Sequence, residues 1–277
     1  MFDVRGLLPR GTVVLEASAG TGKTTTIASL AVRYVAEGVA TLPELMLVTF
    51  GRAATAELRD RVRARFVEVE RALRTGTGPG AGDEVVHLLA DVGADELALR
   101  RSRLARALAD FDAATITTTH GFCQQMLTVL GTAGDVDHDA VLLPDVADLE
   151  AEVVDDLYLR KYVTSDHPAL SVATARTVAR AAVSDHAATL RPADAEPGTA
   201  AQHRAGLAQA VRDELVRRKR ERRVVDYDDL LVLLRDALRH PRTGAAAAER
   251  VRGPYRVVMV DEFQDTDPVQ WEILRNA

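Results

Sequence analysis

A glycine-rich segment near the amino terminus constrains the fold of this chain more than any other feature. Residues 17–24 read ASAGTGKT. They follow a β-branched run at 12–16 (TVVLE) and precede residues 24–37, where apolar side chains recur at helical spacing. Small residues let successive backbone N–H groups turn toward phosphate oxygens, and the following helix adds the positive end of its dipole. The order strand, loop, helix predicts a phosphate-binding loop, although alanine opens it where glycine is usual.

This loop predicts a nucleoside triphosphate site with Mg²⁺. In such loops the lysine reaches the β- and γ-phosphates, and the next hydroxyl binds the metal ion. We expect Lys23 and Thr24 to take these roles. Only three of the 35 basic residues are lysines, so chance is a poor explanation for a lysine at this position of the loop. The expected nucleotide-binding residues are Ala17, Ser18, Ala19, Gly20, Thr21, Gly22, Lys23, Thr24 and Thr25.

A second motif, which is acidic, supports the same chemistry. Residues 261–268 read DEFQDTDP and follow the apolar run 256–260 (RVVMV). Ligands of parallel sheets bind at the carboxyl ends of the strands. We predict that Asp261 binds Mg²⁺ and that Glu262 is the base that polarises water for attack on the γ-phosphate. An acidic cluster at a strand end is by itself more often a solvated loop, but its combination with the phosphate loop favours an ATP site.

The arrangement of apolar runs predicts an α/β fold. Strands are expected at 12–16, 45–50, 114–118 and 256–260, with helices between them, which indicates a parallel sheet with helices on both faces. Residues 145–221 are helix-like and contain no convincing strand. We therefore predict an ATP-binding domain at 1–130 and 222–277, and an inserted all-helical subdomain at 131–221.

Composition narrows the alternatives only weakly. The formal charge of −6 argues mildly against nucleic-acid binding, and the basic cluster at 217–223 is either a solvated helix face or part of a DNA-binding groove. No apolar run approaches the roughly 20 residues that span a bilayer, so we expect no membrane contact. One cysteine, Cys123, excludes an intrachain disulfide and fits a cytoplasmic protein.

Three motifs resemble those of the UvrD/RecB group of superfamily 1 DNA helicases. Residues 261–268 resemble motif II, 48–58 (VTFGRAATAEL) resemble motif Ia, and 118–124 (TTHGFCQ) resemble motif Ib. The resemblance implies a P-loop NTPase of the RecA-like fold and an ATP-dependent 3′-to-5′ DNA helicase or translocase of double-strand break repair and recombination. It also implies that Gln264 couples the nucleotide state to the rest of the motor. The single-strand DNA contacts that it implies are Thr49, Phe50, Thr118, His120 and Phe122.

Details of the motifs favour the RecB-like branch of this group. The phosphate loop is preceded by Glu16, motif Ib reads HGFCQ, and residues 226–231 (DYDDLL) match the family pattern. This branch implies DNA ends as substrates and RecC-like and RecD-like partner subunits. Gly51 and Thr119 depart from the usual residues of motifs Ia and Ib, which puts one local DNA contact in doubt in each motif.

Other functions remain open from the sequence. The chain stops at residue 277, soon after motif II, so we expect it to be incomplete relative to a full helicase and to hydrolyse ATP poorly alone. One alternative is a UvrD/AddA-type helicase of the same superfamily. Another is a nucleotide-binding or partner-binding module that does not hydrolyse ATP. A small-molecule phosphotransferase would share the phosphate loop but not the DNA-contact motifs.

Overall fold

A computed structural model of the chain describes residues 2–16, 22–76, 83–131, 140–184 and 188–277. The described residues form helices and strands in this order: α1 (Lys23–Ala36), β1 (Leu45–Thr49), α2 (Arg52–Thr75), α3 (Glu84–Ala90), α4 (Ala94–Ala109), β2 (Thr115–Thr118), α5 (Thr119–Leu130), β3 (Val141–Leu142), α6 (Ala147–Tyr162), α7 (Val172–Val183), α8 (Ala200–Arg222), β4 (Val224–Val225), α9 (Tyr227–Arg239), α10 (Gly244–Arg252), β5 (Val257–Val260) and α11 (Pro268–Asn276). This is the expected α/β class.

The chain packs as two compact units, which we call unit 1 and unit 2. Unit 1 comprises Met1–Ala133 and Leu234–Ala277, and unit 2 comprises Gly134–Leu233. The predicted helical subdomain ended earlier, at 221. Unit 2 extends further because β4, directly after α8, pairs in parallel with β3. The assignment of the units as an ATP-binding domain and an inserted subdomain stays a prediction.

Unit 1 contains a three-stranded parallel sheet in the order β2-β1-β5. The central strand β1 is buried along its whole length, which explains its uninterrupted apolar sequence LMLVT. Successive residues of a strand face opposite sides of the sheet. Leu45 and Leu47 face a core shared with α1, α2 and α4, and α5 contacts β1 and β2 and packs against α10. Helices therefore flank the sheet.

Helix α2 shows why these residues form the core. Leu58, Val62, Phe66 and Val69 recur at helical spacing and are all buried. They pack in the same core as α1 and α4, and the Phe66 ring contacts the edge of Phe111. Helix α2 confirms that a helix follows the strand expected at 45–50. Gly76 ends it in the left-handed conformation with φ of 66°.

The predicted first strand at 12–16 is wrong. Residues 13–16 carry no regular secondary structure, and Val14 is 71% exposed. A strand forms only when its backbone N–H and C=O groups pair with a neighbouring strand, and β-branched side chains alone do not supply that pairing. Among the described residues, the sheet of unit 1 consists of β2, β1 and β5, and residues 13–16 pair with none of these strands.

Unit 2 is a helical unit with its own core. Val153 on α6, Ala175 and Ala179 on α7, and Val211 on α8 are fully buried against one another. The described part of 145–221 contains no strand, as predicted. Strand β3, however, lies within the predicted all-helical range of 131–221, where it pairs with β4 just beyond that range. Within the described parts of both units, no helix has the length and apolar character needed to cross a membrane.

Candidate nucleotide site and DNA-contact residues

The described part of the phosphate loop is its junction with α1. Gly22 caps this helix with φ of 85°, a left-handed conformation that glycine adopts without strain. The Gly22 carbonyl oxygen accepts a hydrogen bond from the Thr26 N–H at 2.9 Å. Lys23, Thr24 and Thr25 therefore form the first turn of α1, where backbone N–H groups are free to bind an anion. The predicted contacts of Ala17, Ser18, Ala19, Gly20 and Thr21 lie outside the described residues.

The acidic motif begins where β5 ends. The Asp261 N–H donates to the Val48 carbonyl at 2.8 Å, which extends the β1–β5 ladder and holds Asp261 at the edge of the sheet. Glu262 then turns the chain with a left-handed backbone, φ of 51°, and its N–H donates to Asp261 Oδ1 at 3.0 Å. This conformation is uncommon outside glycine. Two adjacent carboxylates, those of Asp261 and Glu262, therefore follow directly after the end of β5.

The structure brings three predicted catalytic residues together. The Lys23 Nζ atom lies 2.8 Å from Glu262 Oε2, although 239 positions separate the two residues. The Gln264 amide donates to the same carboxylate oxygen. The side chains of Lys23 and Glu262 are 27% and 40% exposed, so solvent reaches this ion pair. The start of α1 and the end of β5 therefore form one polar site.

Pairing shifts the proton affinities at this site. The hydrogen bond to Glu262 raises the pKa of Lys23, and the hydrogen bonds from Lys23 and then Gln264 lower the pKa of Glu262. Burial raises the pKa of Asp261, with the Glu262 N–H acting in the opposite direction. Both members of the ion pair are therefore charged at neutral pH.

The donor set fits Mg²⁺ held jointly with a nucleotide. Within the described part of the chain, no group of three or more His, Cys, Asp and Glu side chains is placed to hold a metal ion alone. Mg²⁺ commonly binds through one or two carboxylates together with substrate phosphates and water. Asp261 supplies such a carboxylate, and Thr24 lies half-buried on the first turn of α1. Glycine at position 22, which the left-handed turn requires, also fits a phosphate-binding loop.

The predicted DNA-contact residues divide into accessible and covered side chains. Thr49 and Thr118 are register partners at the carboxyl ends of β1 and β2, and Phe50 and His120 are half-buried next to them. Thr118 Oγ1 accepts the Gly121 N–H at 3.0 Å and so caps α5. Phe122 is 0% exposed and Thr49 is 2% exposed. The structure therefore contradicts DNA contacts through these two side chains.

The covered position of Phe122 follows from helical geometry. Phe122 and Met126 are one turn apart on the buried face of α5, together with Cys123 and Leu127. Burial raises the pKa of the Cys123 thiol to about 12, with a smaller contribution in the same direction from the Asp267 carboxylate. The aromatic residue of motif Ib is therefore a core residue of unit 1.

Gly121 is a residue whose importance sequence reasoning missed. A Cβ atom at this position would lie 2.5 Å from Thr117 Oγ1, which is closer than such atoms approach. A larger residue here would force the Thr117 side chain to move, so glycine lets the first turn of α5 approach the end of β2 without strain. The HGF sequence was the available signal, but the contact becomes visible only in three dimensions.

The basic cluster at 217–223 is largely neutralised within unit 2. Two of its members, Arg218 and Lys219, are buried, so the cluster is not simply a solvated helix face. The ion pairs join Arg217 to Glu214 and Glu221; Arg218 to Glu152, Asp156 and Glu214; Lys219 to Asp226 and Asp229; and Arg222 to Glu152. These contacts tie α8 to α6 and to the start of α9. The pairing does not favour a DNA-binding groove at these residues.

The amino-acid sequence is similar to a helicase family model and to known RecB and UvrD2 proteins. The family model described as UvrD/REP helicase N-terminal domain matches residues 5–277. The RecBCD enzyme subunit RecB of Mycobacterium tuberculosis is 49% identical over 279 residues, which cover 100% of this chain and 25% of that protein. RecB of Escherichia coli K12 is 36% identical over 159 residues, covering 54% of this chain and 13% of that protein. The ATP-dependent DNA helicase UvrD2 of M. tuberculosis is 29% identical over 270 residues, covering 97% and 33%.

Proposed function

This chain belongs to the UvrD/REP helicase family, and we propose from that premise that unit 1 binds Mg-ATP for a RecB-like DNA helicase. The chain spans about a quarter of the length of its RecB relatives. The observation that carries the proposal is the meeting of Lys23 and Glu262 at 2.8 Å. It supports a shared site because the family's phosphate-loop lysine and motif II carboxylates would act on one nucleotide.

Each residue of the site has a distinct chemical task. Lys23 binds β- and γ-phosphate oxygens through its ammonium group, and the N–H groups of the first turn of α1 assist it. Thr24 and Asp261 would hold Mg²⁺, which neutralises phosphate charge when it is bound. Glu262 accepts a proton from the attacking water, and Gln264 orients the Glu262 carboxylate through its amide.

DNA is the proposed second ligand of unit 1. Thr118, Phe50 and His120 lie at the carboxyl ends of β1 and β2, the same edge of the sheet that carries Asp261. Phe50 offers a ring on which a base can stack, and the other two offer polar groups for phosphate. By relation to the RecBCD enzyme subunits, DNA ends are the proposed substrate and RecC-like and RecD-like subunits the proposed partners. A 3′-to-5′ direction of translocation and a cytoplasmic location complete the proposal.

Nucleotide affinity tests the ATP site. We expect Lys23→Ala in the full chain to weaken Mg-ATP binding about tenfold or more, because a hydrogen bond to a charged group is lost. Isothermal titration calorimetry measures this affinity. Lys161→Ala is the matched control, since Lys161 lies on α6 in unit 2 and stacks over Tyr162. Equal affinities for wild type and Lys23→Ala would refute the proposed site.

Single-strand DNA binding distinguishes a helicase from a small-molecule phosphotransferase. We expect oligonucleotide affinity to fall steeply as salt rises, since bound phosphates release counterions. Phe50→Ala should weaken binding about fivefold or more through lost base stacking, which is of the order of 1–3 kcal/mol per base. Val67→Ala, which truncates an exposed apolar residue on α2, is the control. Nucleotide binding without any salt-sensitive DNA binding would favour the phosphotransferase.

A further inference from the structure

Unit 1 contains a cavity of about 650 Å³, which we call the amino-edge cavity. It lies between the connection from α1 to β1 and one face of α4, and Arg256 borders it just before β5. Because β1 and β5 are parallel, their amino ends meet at this edge of the sheet, and Asp261 lies at the opposite edge. Arg256 and Asp261 are five positions apart, which corresponds to roughly 16 Å along a strand. A ligand in this cavity would therefore leave the proposed nucleotide site open.

The buried part of the lining of the amino-edge cavity is apolar. Leu42 and Ala107 are 2% and 5% exposed, and Val39 adds an apolar side chain that is 42% exposed. Ligand sites of this size are typically apolar with a few charged groups that fix the orientation of the ligand. The lining therefore suits a ligand that combines apolar groups with a charge.

Contacts within unit 1 already engage most of the charged groups around the cavity. Arg103 donates to the Ala36 carbonyl at 2.9 Å and lies 3.5 Å from Glu96 Oε1. Arg256 pairs with Glu44 at 3.2 Å. These arginines are therefore held in place by groups of the chain itself.

Arg106 is the cation of the cavity that stays available. It lies one turn from Arg103 on the same face of α4, it is exposed, and it makes no ion pair within the described part of unit 1. A guanidinium group offers paired donors that match a carboxylate. Because the carboxylates of Glu44 and Asp110 also line the cavity, they would repel a continuous chain of phosphates. A single carboxylate between apolar groups, as in a peptide, fits this lining better than a nucleic acid.

We propose that the amino-edge cavity binds a peptide segment of a partner subunit in which an acidic side chain is flanked by apolar ones. The acidic side chain pairs with Arg106, and its apolar neighbours cover Val39 and Leu42. Covering exposed apolar surface favours association, and an arginine that gains a carboxylate partner is a common centre of binding energy. The inference rests on the proposed function, because that function supplies the partner subunits.

Charge reversal tests the arginine contact. Biolayer interferometry measures the affinity between the full-length protein and its partner subunits for wild type, Arg106→Glu and Arg101→Glu. We expect Arg106→Glu to weaken assembly about tenfold or more, because an attraction between two charged groups becomes a repulsion. Arg101→Glu is the matched control, since Arg101 lies on α4 but does not line the cavity, and it should change the affinity less than about twofold. Far-UV circular dichroism and Mg-ATP titration check that each variant is folded and keeps its nucleotide site.

A zero-length crosslink tests whether the occupant is acidic. In Arg106→Lys, a carbodiimide activates a carboxylate that touches the introduced lysine, the amine attacks it to form an amide, and the carbodiimide leaves as a urea that carries the carboxylate oxygen. Mass spectrometry of the assembled complex should find position 106 joined to an aspartate or glutamate of a partner subunit. Arg101→Lys should give no such product.

The outcomes separate the inference from the proposed function. Assembly that is as tight for Arg106→Glu as for wild type, or equally weakened by both charge reversals, would overturn the inference and leave the proposed function intact. Crosslinks from position 106 that reach no acidic residue of a partner subunit would do the same. Loss of single-strand DNA binding by Arg106→Glu with unchanged assembly would assign the cavity to nucleic acid instead. If the wild-type protein does not assemble with partner subunits, the proposed partners fail and the inference fails with them.

Discussion

Lys219 is the most informative residue for testing how unit 2 is stabilised. It is one of the buried members of the basic cluster, 4% exposed, at the carboxyl-terminal end of α8. Its ammonium group binds Asp226 and lies 2.9 Å from Asp229 Oδ2. The two aspartates also bond each other's backbone: the Asp226 N–H donates to Asp229 Oδ2, and the Asp229 N–H donates to Asp226 Oδ1, both at 2.9 Å. Lys219→Met would leave two carboxylates without their cation.

The expected loss is about 3 kcal/mol of unfolding free energy at pH 7. Removing one partner of a buried ion pair typically costs about 3–5 kcal/mol, because a charge stays buried without compensation. The lower end applies since the Asp229 side chain is 28% exposed and water solvates it in part. Methionine keeps most of the buried aliphatic volume, so little of the loss comes from a cavity.

The loss should depend on pH with a defined sign. In the wild type, burial raises the pKa of Asp226, but the hydrogen bonds from Lys219 and Asp229 and the charge of Lys219 together outweigh burial and leave that pKa lowered. Burial leaves the pKa of Asp229 raised. Without the ammonium, both folded-state pKa values lie above their unfolded values. Protonation then favours the folded state, so the deficit of Lys219→Met is largest where both carboxylates are ionised and shrinks as pH falls through their raised pKa values.

Urea denaturation with two probes measures the effect. Far-UV circular dichroism reports the helices of both units, whereas fluorescence of Trp271, the single tryptophan, reports unit 1. Lys219→Met/Asp226→Asn/Asp229→Asn is the matched control, because asparagine keeps oxygen acceptors without the charges. The reasoning is refuted if Lys219→Met unfolds at the wild-type urea concentration at pH 7, or if its deficit is unchanged at pH 5.

Two further predictions follow from local geometry. Gly121→Ala should cost roughly 1–3 kcal/mol by thermal unfolding, because the new Cβ lies 2.5 Å from Thr117 Oγ1, and adding Thr117→Ala should restore much of the loss. Glu214 has its pKa lowered to about 2, chiefly by the hydrogen bond from Arg217. Its stabilising contribution should be present above pH 4.5 and disappear as pH falls toward 2, and Glu214→Gln should flatten that part of an acid denaturation curve.

The central part of the fold is predictable from the sequence because its signals are local. Strand β1 is a continuous apolar run, and α2 carries apolar residues at regular helical spacing, so both follow from patterns a few residues long. The residues of the proposed nucleotide site could also be named from the sequence, since Lys23 follows a glycine-rich loop and Asp261 follows an apolar strand.

Interactions between distant residues could not be predicted in the same way. The contact between Lys23 and Glu262 depends on β5 pairing with β1, and Phe122 is covered because α5 turns its aromatic face toward the core. The charge of the cluster around Arg218 is neutralised by acids on α6, more than 60 residues away. Residues 12–16 illustrate the same difficulty. Their β-branched side chains favour a strand locally, but a strand also needs a neighbouring strand to pair with, and the local sequence does not show whether one is present.

The discontinuity of unit 1 has a consequence for synthesis of the chain. Strand β1 gains β2 as a neighbour early, but its other neighbour, β5, is made only after the whole of unit 2. During translation, about 200 residues emerge before the second edge of β1 is paired. An unpaired apolar strand edge invites association with other chains. The nascent protein therefore passes through an aggregation-prone interval that lasts until β5 has been synthesised.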